Sequence, residues 1–170
     1  MKKQTITFYI AKDGKKFDTK EKCIDYENGN EIKRSKISSL RYELRSEVSR
    51  AALALSWMQR YKSTSCTDDY YTKPNSDNVY RCETLPRAEA LYLNAKKEFL
   101  EVLNKHLDFY SRVDLIAKTS HILNAAIEKR KELTETYKNY KQVFNKSIKR
   151  IAEIKKEIAT ITKELNISKE

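Results

Sequence analysis

Apolar residues recur every three to four positions over the last third of the chain. From Ile151 the steps run Ile151, Ile154, Ile158, Ile161 and Leu165, the alternation of a seam on a packed helix. Followed backwards in the same frame, the seam meets Phe144, Tyr140, Tyr137, Leu133, Ala126, Leu123 and Ile116, with Ser147, Arg130 and Thr119 as polar exceptions. No Gly or Pro follows Pro86. The pattern therefore predicts one very long C-terminal helix over residues 116 to 165.

A second apolar stripe predicts another helix after Asn30, a suitable cap. It runs Ile37, Leu40, Leu44, Val48, Ala51, Leu55 and Met58, so one face is buried. Lys33, Arg34, Lys36, Arg41, Arg45 and Arg50 fall mostly off that stripe. Trp57 lies one residue from its centre, either at the core edge or as an exposed contact. Pro86 suits the first turn of a third helix, whose apolar side comprises Leu91, Tyr92, Ala95, Phe99, Val102, Leu103, His106 and Tyr110. Ser111 and Asp114 mark a turn before the long helix or an irregularity within a continuous one.

Residues 5 to 17 alternate in strand fashion around Asp13-Gly14, which predicts a β-hairpin. Asp18, three residues before Glu21, has the spacing of a capping box. The short helix it opens holds Cys23, Ile24 and Tyr26 and is expected to stop at Asn28-Gly29. Residues 63 to 85 break the helical pattern and read as a long loop bearing Asp68, Asp69, Tyr70, Tyr71, Tyr80 and Arg81. Tyrosine offers large amphipathic contact area. These side chains either form a protein-binding tip or fold onto the bundle.

Composition narrows the class. Two glycines and two prolines in 170 residues argue against a sandwich, barrel or Rossmann-type fold, all of which need many tight turns. With 39% apolar and 35% charged residues, the core should be thin and elongated, as in a helical bundle or coiled coil. The expected fold is mainly α. A hairpin-helix module spans residues 1–29, and an elongated antiparallel helical bundle with the 63–85 loop spans residues 30–170. Arg150 would face Lys155 in a parallel homodimer, and Val143 and Ile148 widen the apolar stripe. Both features favour intramolecular antiparallel packing, although the end of the long helix offers a homodimer contact.

The segment from Tyr9 through Ala11-Lys12-Asp13-Gly14-Lys15-Lys16-Phe17-Asp18 to Cys23, ending Tyr26-Glu27, resembles the opening of small bacteriophage-encoded accessory proteins. They share a strand, an Asp-Gly turn, Phe before an acidic cap and a Glu-rich helix. The resemblance covers about one eighth of the chain. It implies a phage accessory protein, a group in which inhibitors of host enzymes or of antiviral defence are common.

The net charge of +11 is unevenly placed. Residues 1–50 carry 13 basic and 8 acidic side chains, residues 51–110 carry 8 of each, and residues 111–170 carry 14 and 8. Such excesses attract polyanions or acidic partners, although a Lys-rich solvated surface has the same composition. The densest run is Lys138, Lys141, Lys146, Lys149, Arg150, Lys155 and Lys156 against the single acid Glu153. On a helix this run falls away from the seam. With Arg41 and Arg45 it forms the candidate surface for a polyanion or partner, and Tyr70, Tyr71, Tyr80 and Arg81 form the candidate loop contacts.

Chemistry is sparse. His106 and His121 are the only histidines, and His106 reads as a packed residue on an apolar face. Cys23, Cys66 and Cys82 lack the close ligand pairs of zinc sites and read as free thiols in a reducing, cytoplasmic setting. No phosphate-cradling or nucleophile motif occurs, and no apolar run reaches the length of a membrane span. Neither metal, cofactor nor catalysis is expected. The expected function is that of a non-enzymatic phage-type protein occluding a host protein or nucleoprotein complex, such as an anti-CRISPR or another counter-defence factor. Direct nucleic-acid binding and a structural coiled-coil role are the alternatives.

Overall fold

The computed structural model describes residues 7–64, 69–106 and 108–167. Its elements in order are β1 (Tyr9–Ile10), β2 (Lys16–Phe17), α1 (Lys20–Lys62), α2 (Asp69–Thr72), α3 (Ser76–Tyr80), α4 (Leu85–Asn104) and α5 (Phe109–Ile167). The fold is mainly helical, with a two-stranded antiparallel hairpin at one end of the chain and a 59-residue helix at the other. By contact the chain divides into two compact units, Met1–Arg50 with Lys146–Glu170, and Ala51–Asn145.

In the first unit, Tyr9 pairs with Phe17 and Ile10 with Lys16. Among the described residues only Gly14 takes a left-handed conformation, at φ 90°. The Gly14 N–H donates to the Ala11 carbonyl (2.8 Å), and the Ala11 N–H donates to that of Lys15 (2.9 Å). This is a three-residue hairpin loop, longer than the tight Asp-Gly turn expected. The helix cap lies one residue beyond Asp18. Thr19 Oγ1 accepts the N–H of Lys22 (3.3 Å), while Asp18 binds the Lys22 ammonium (2.8 Å).

The first helix does not stop at Asn28-Gly29. Gly29 stays helical, and a mid-helix glycine costs only about 1 kcal/mol relative to alanine, which packing on both sides offsets. Before it, the hairpin docks onto α1: Tyr26 Oη donates to Asp13 Oδ2 (2.7 Å), the Lys12 N–H donates to Glu27 Oε1 (2.9 Å), and the Phe17 and Tyr26 rings lie 5.0 Å apart. Beyond it, Ile37, Leu40 and Leu44 pack against Ile154, Ile158, Ile161 and Leu165 of α5. Ion pairs follow the antiparallel register: Lys33 to Glu164 (3.1 Å), Lys36 to Glu157 (2.7 Å) and Glu43 to Arg150 (2.8 Å).

The buried face of α1 differs from the expected one at two steps. Glu47 and Ala54 are buried, whereas Val48 and Leu55 are exposed. The true seam runs 37, 40, 44, 47, 51, 54, 58, a strict three-four alternation that matches the one on α5. Choosing the larger apolar neighbour at each step shifts the stripe by one residue. Buried Glu47 is paired within its own helix to Arg50 (2.5 Å).

In the second unit, α5 packs against α4 and against the last turns of α1. Leu133 sits in a cluster with Cys82, Ala88, Leu91, Leu85 and Tyr61, so it touches the neighbourhood of both partners. Ala95 and Ala126 are buried with Val79, flanked by Tyr92, Ile122 and Leu123. Trp57 is half-buried and stacks on Tyr140 (5.9 Å, 18°), with Tyr61 alongside. The helix expected after Pro86 is α4, which ends at Asn104. His106 is therefore exposed instead of packed, and Tyr110 falls in the first turn of α5, also exposed.

Ile154 is fully buried, at 0% exposure, whereas Val48 is 48% exposed. Ile154→Ala should therefore cost about 2–5 kcal/mol and Val48→Ala no more than about 0.5 kcal/mol, measured by urea denaturation followed by circular dichroism. Comparable losses at the two positions would put Val48 in the seam.

Candidate interaction surface

Antiparallel helices in a shared heptad frame have two flanks beside the seam, and in the first unit these flanks are unlike. One is self-neutralised: Lys33, Lys36, Glu43, Arg150, Glu157 and Glu164 pair across it, and Arg150 also reaches Glu153 (3.4 Å). The hydrogen bond from Lys36 holds the Glu157 carboxyl below its ordinary range, and the contacts from Glu43 and Glu153 raise the Arg150 guanidinium further. Arg150, predicted as a contact residue, is thus committed internally.

The other flank carries Arg34, Arg41 and Val48 on α1, at seven-residue spacing. The register of the ion pairs sets them level with Thr162, Lys155 and Ile148 of α5. Arg45 lies one turn beyond Arg41 on the same side. These cations are exposed, and Arg34, Arg41, Arg45 and Lys155 form no ion pair among the described residues.

The remaining predicted basic residues are spread around α5 instead of gathered on one back. Lys149 and Lys156 point directly away from the seam, and Lys146 lies toward the neutralised flank. All three are exposed and unpaired among the described residues. Lys138 and Lys141 belong to the second unit, where Lys138 lies 4.0 Å from Glu135 and Lys141 is exposed without an ion pair.

The predicted loop contains ordered turns. Asn75 Oδ1 caps α3 by accepting the Asn78 N–H (2.8 Å), and Asn78 Nδ2 donates to the carbonyls of Tyr70 (2.8 Å) and Lys73 (3.0 Å). Asn94 on α4 donates to the Thr72 carbonyl (2.9 Å). Arg87, 5% exposed, donates to the carbonyls of Tyr71, Arg81 and Asn78 at 3.2–3.3 Å and lies 4.9 Å over the Tyr71 ring. This clamp leaves Tyr70 and Tyr80 outward, Tyr80 at 85% exposure, with Arg81 exposed beside it and Tyr71 partly exposed against the guanidinium. The loop tyrosines are not folded into the core. Asp68 and Cys66 lie outside the described residues.

Burial raises the thiols of Cys23 and Cys82 above the ordinary cysteine value, the opposite of an activated nucleophile. Among the described residues no three His, Cys, Asp or Glu side chains gather as a metal site. No described helix is long and apolar enough to cross a membrane. No known protein family, curated protein or solved structure matches the chain.

Arg87→Ala should remove the charged hydrogen bonds to the three carbonyls. Amide exchange at Val79, Arg81 and Cys82 should then rise about tenfold or more, with the α1 and α5 amides unchanged; unchanged exchange at residues 79–82 would show that the clamp is dispensable. The Glu157 carboxyl is depressed in the folded state, so its stabilising effect is present above the ordinary value of 4.5 and is lost as the pH falls through the folded value. Glu157→Gln should accordingly flatten the loss of stability in acid, read from urea midpoints across pH 3 to 7.

Proposed function

We propose that the chain is a non-enzymatic binding protein that inhibits or redirects a host nucleic-acid-associated machine by covering a surface which nucleic acid or a partner protein uses. One observation carries the reading. On the same two helices, one flank pairs its charges internally while Arg34, Arg41, Arg45 and Lys155 on the other form no ion pair among the described residues. Charges left solvated add little to stability, but they steer and select an acidic partner. The outward Tyr70 and Tyr80 supply a second contact of the kind enriched at protein interfaces. The phage setting rests on the resemblance of residues 5–27.

Partner recovery from host lysate on the tagged full chain, with and without nuclease and at two salt concentrations, tests the reading. A protein retained after nuclease treatment, and lost on Arg41→Glu with Lys155→Glu, is the expected outcome. Retention that vanishes with nuclease and falls steeply with salt would replace it with direct nucleic-acid binding. Recovery of only the chain itself would replace it with an assembly role.

A further inference from the structure

At one end of its row of cations the unpaired flank is apolar. Val48 is 48% exposed on α1 and Ile148 is 46% exposed on α5; the register of the Lys36–Glu157 and Glu43–Arg150 pairs places them level with each other. One heptad away, at the next level, stand Arg41 and Lys155, and one heptad further Arg34 and Thr162. Both helices thus present positions recurring every seven residues along a single groove edge, apolar at one end and cationic beyond it.

Resting on the binding role above, we propose that this flank docks an acidic amphipathic helix of a partner protein, which completes a local three-helix bundle. The occupant's apolar stripe would cover Val48 and Ile148, and its flanking carboxylates would meet Arg34, Arg41, Arg45 and Lys155, as charges beside the seam do in helical bundles. A phosphate backbone satisfies the cations but gains nothing from two exposed aliphatic side chains. A second copy of this chain, of net charge +11, would set the same cations against themselves. The self-neutralised flank lacks the apolar pair, and its facing charges are closed by the Lys36–Glu157 and Glu43–Arg150 ion pairs, so the docking is one-sided.

The test uses the full-length chain and a fluorescent peptide of about four heptads, with Leu at the seam positions and Glu elsewhere. Polyglutamate of equal length and a short duplex DNA serve as comparisons, and binding is read by anisotropy at fixed salt. The peptide should bind at least about tenfold more tightly than polyglutamate or DNA. Val48→Ser with Ile148→Ser, and separately Arg41→Glu with Lys155→Glu, should each weaken it about tenfold or more. Lys149→Glu with Lys156→Glu, the same charge change on the far side of α5, should alter it less than about twofold. Circular dichroism of each variant confirms that helicity is kept.

Failure of the peptide to bind, tighter binding of DNA, or indifference to the Val48/Ile148 change would overturn the docking proposal. The lysate experiment stands apart from these outcomes: a retained protein that ignores the Val48/Ile148 change sinks the helix-docking inference alone, whereas no retained protein sinks the binding role itself.

Discussion

Each half of the α1·α5 pairing depends on a seven-residue frame that both helices keep in opposite directions. In the first unit Ile154 disappears completely between turns that carry Ile37 and Leu40, and once that level is fixed, every other level follows. The ion pairs Lys36–Glu157 and Glu43–Arg150 are consequences of the register more than causes of it, since exposed pairs contribute at most about 1 kcal/mol each, whereas burying isoleucine contributes about 1.5–3 kcal/mol. The frame also decides which residues are tolerated inside. Ser147 is buried on α5 and Glu47 on α1, and the register brings these two polar positions to the same level. An acidic side chain at a seam position is costly to bury unless paired, and Arg50, one turn on, supplies the partner.

Much of this was legible in the chain. The α5 seam is written in large aliphatic and aromatic residues whose alternation admits one frame, and with no Gly or Pro after Pro86 nothing interrupts it. On α1 the writing is ambiguous. Val48 stands beside Glu47 and Leu55 beside Ala54, and hydrophobicity alone selects the larger apolar member of each pair. Packing selects the other, because the partner helix imposes strict three-four steps and accepts alanine or a paired glutamate sooner than a slip in phase. Gly29 illustrates the same precedence. A residue that often ends helices is carried through when the hairpin on one side and the Ile37–Leu44 packing on the other hold the backbone helical.

The loop segment was legible in composition but not in structure. Its polar residues correctly mark a break between long helices. What orders it is a set of side chains reaching backbone carbonyls 5 to 22 residues away, and spacing carries no signal for such bonds. Arg87 could be noted in the sequence only as a basic residue in a first turn, an unfavourable place near a helix N-terminus. Its burial makes sense once the carbonyls of Tyr71, Asn78 and Arg81 are seen to converge on it, because a buried guanidinium needs acceptors for its fixed fork of donors.

Net charge is a poor guide to where basic side chains gather on the folded chain. The run from Lys138 to Lys156 appears as one basic stripe in the sequence, yet helical geometry distributes it over two units and over several directions, and removes Arg150 into internal pairing. What distinguishes the Arg41–Lys155 flank is contrast with its neighbour on the same two helices. Like charges at one level of an exposed pair cost only tenths of a kcal/mol, a penalty too small for a core built on Ile154, Ile158 and Ile161 to notice. Folding therefore leaves the identity of these flank residues open, and an aliphatic pair left in water beside them has no folding benefit either. Features to which stability is indifferent, concentrated on one side while the other side is closed by ion pairs, are the ones on which the proposed binding role rests.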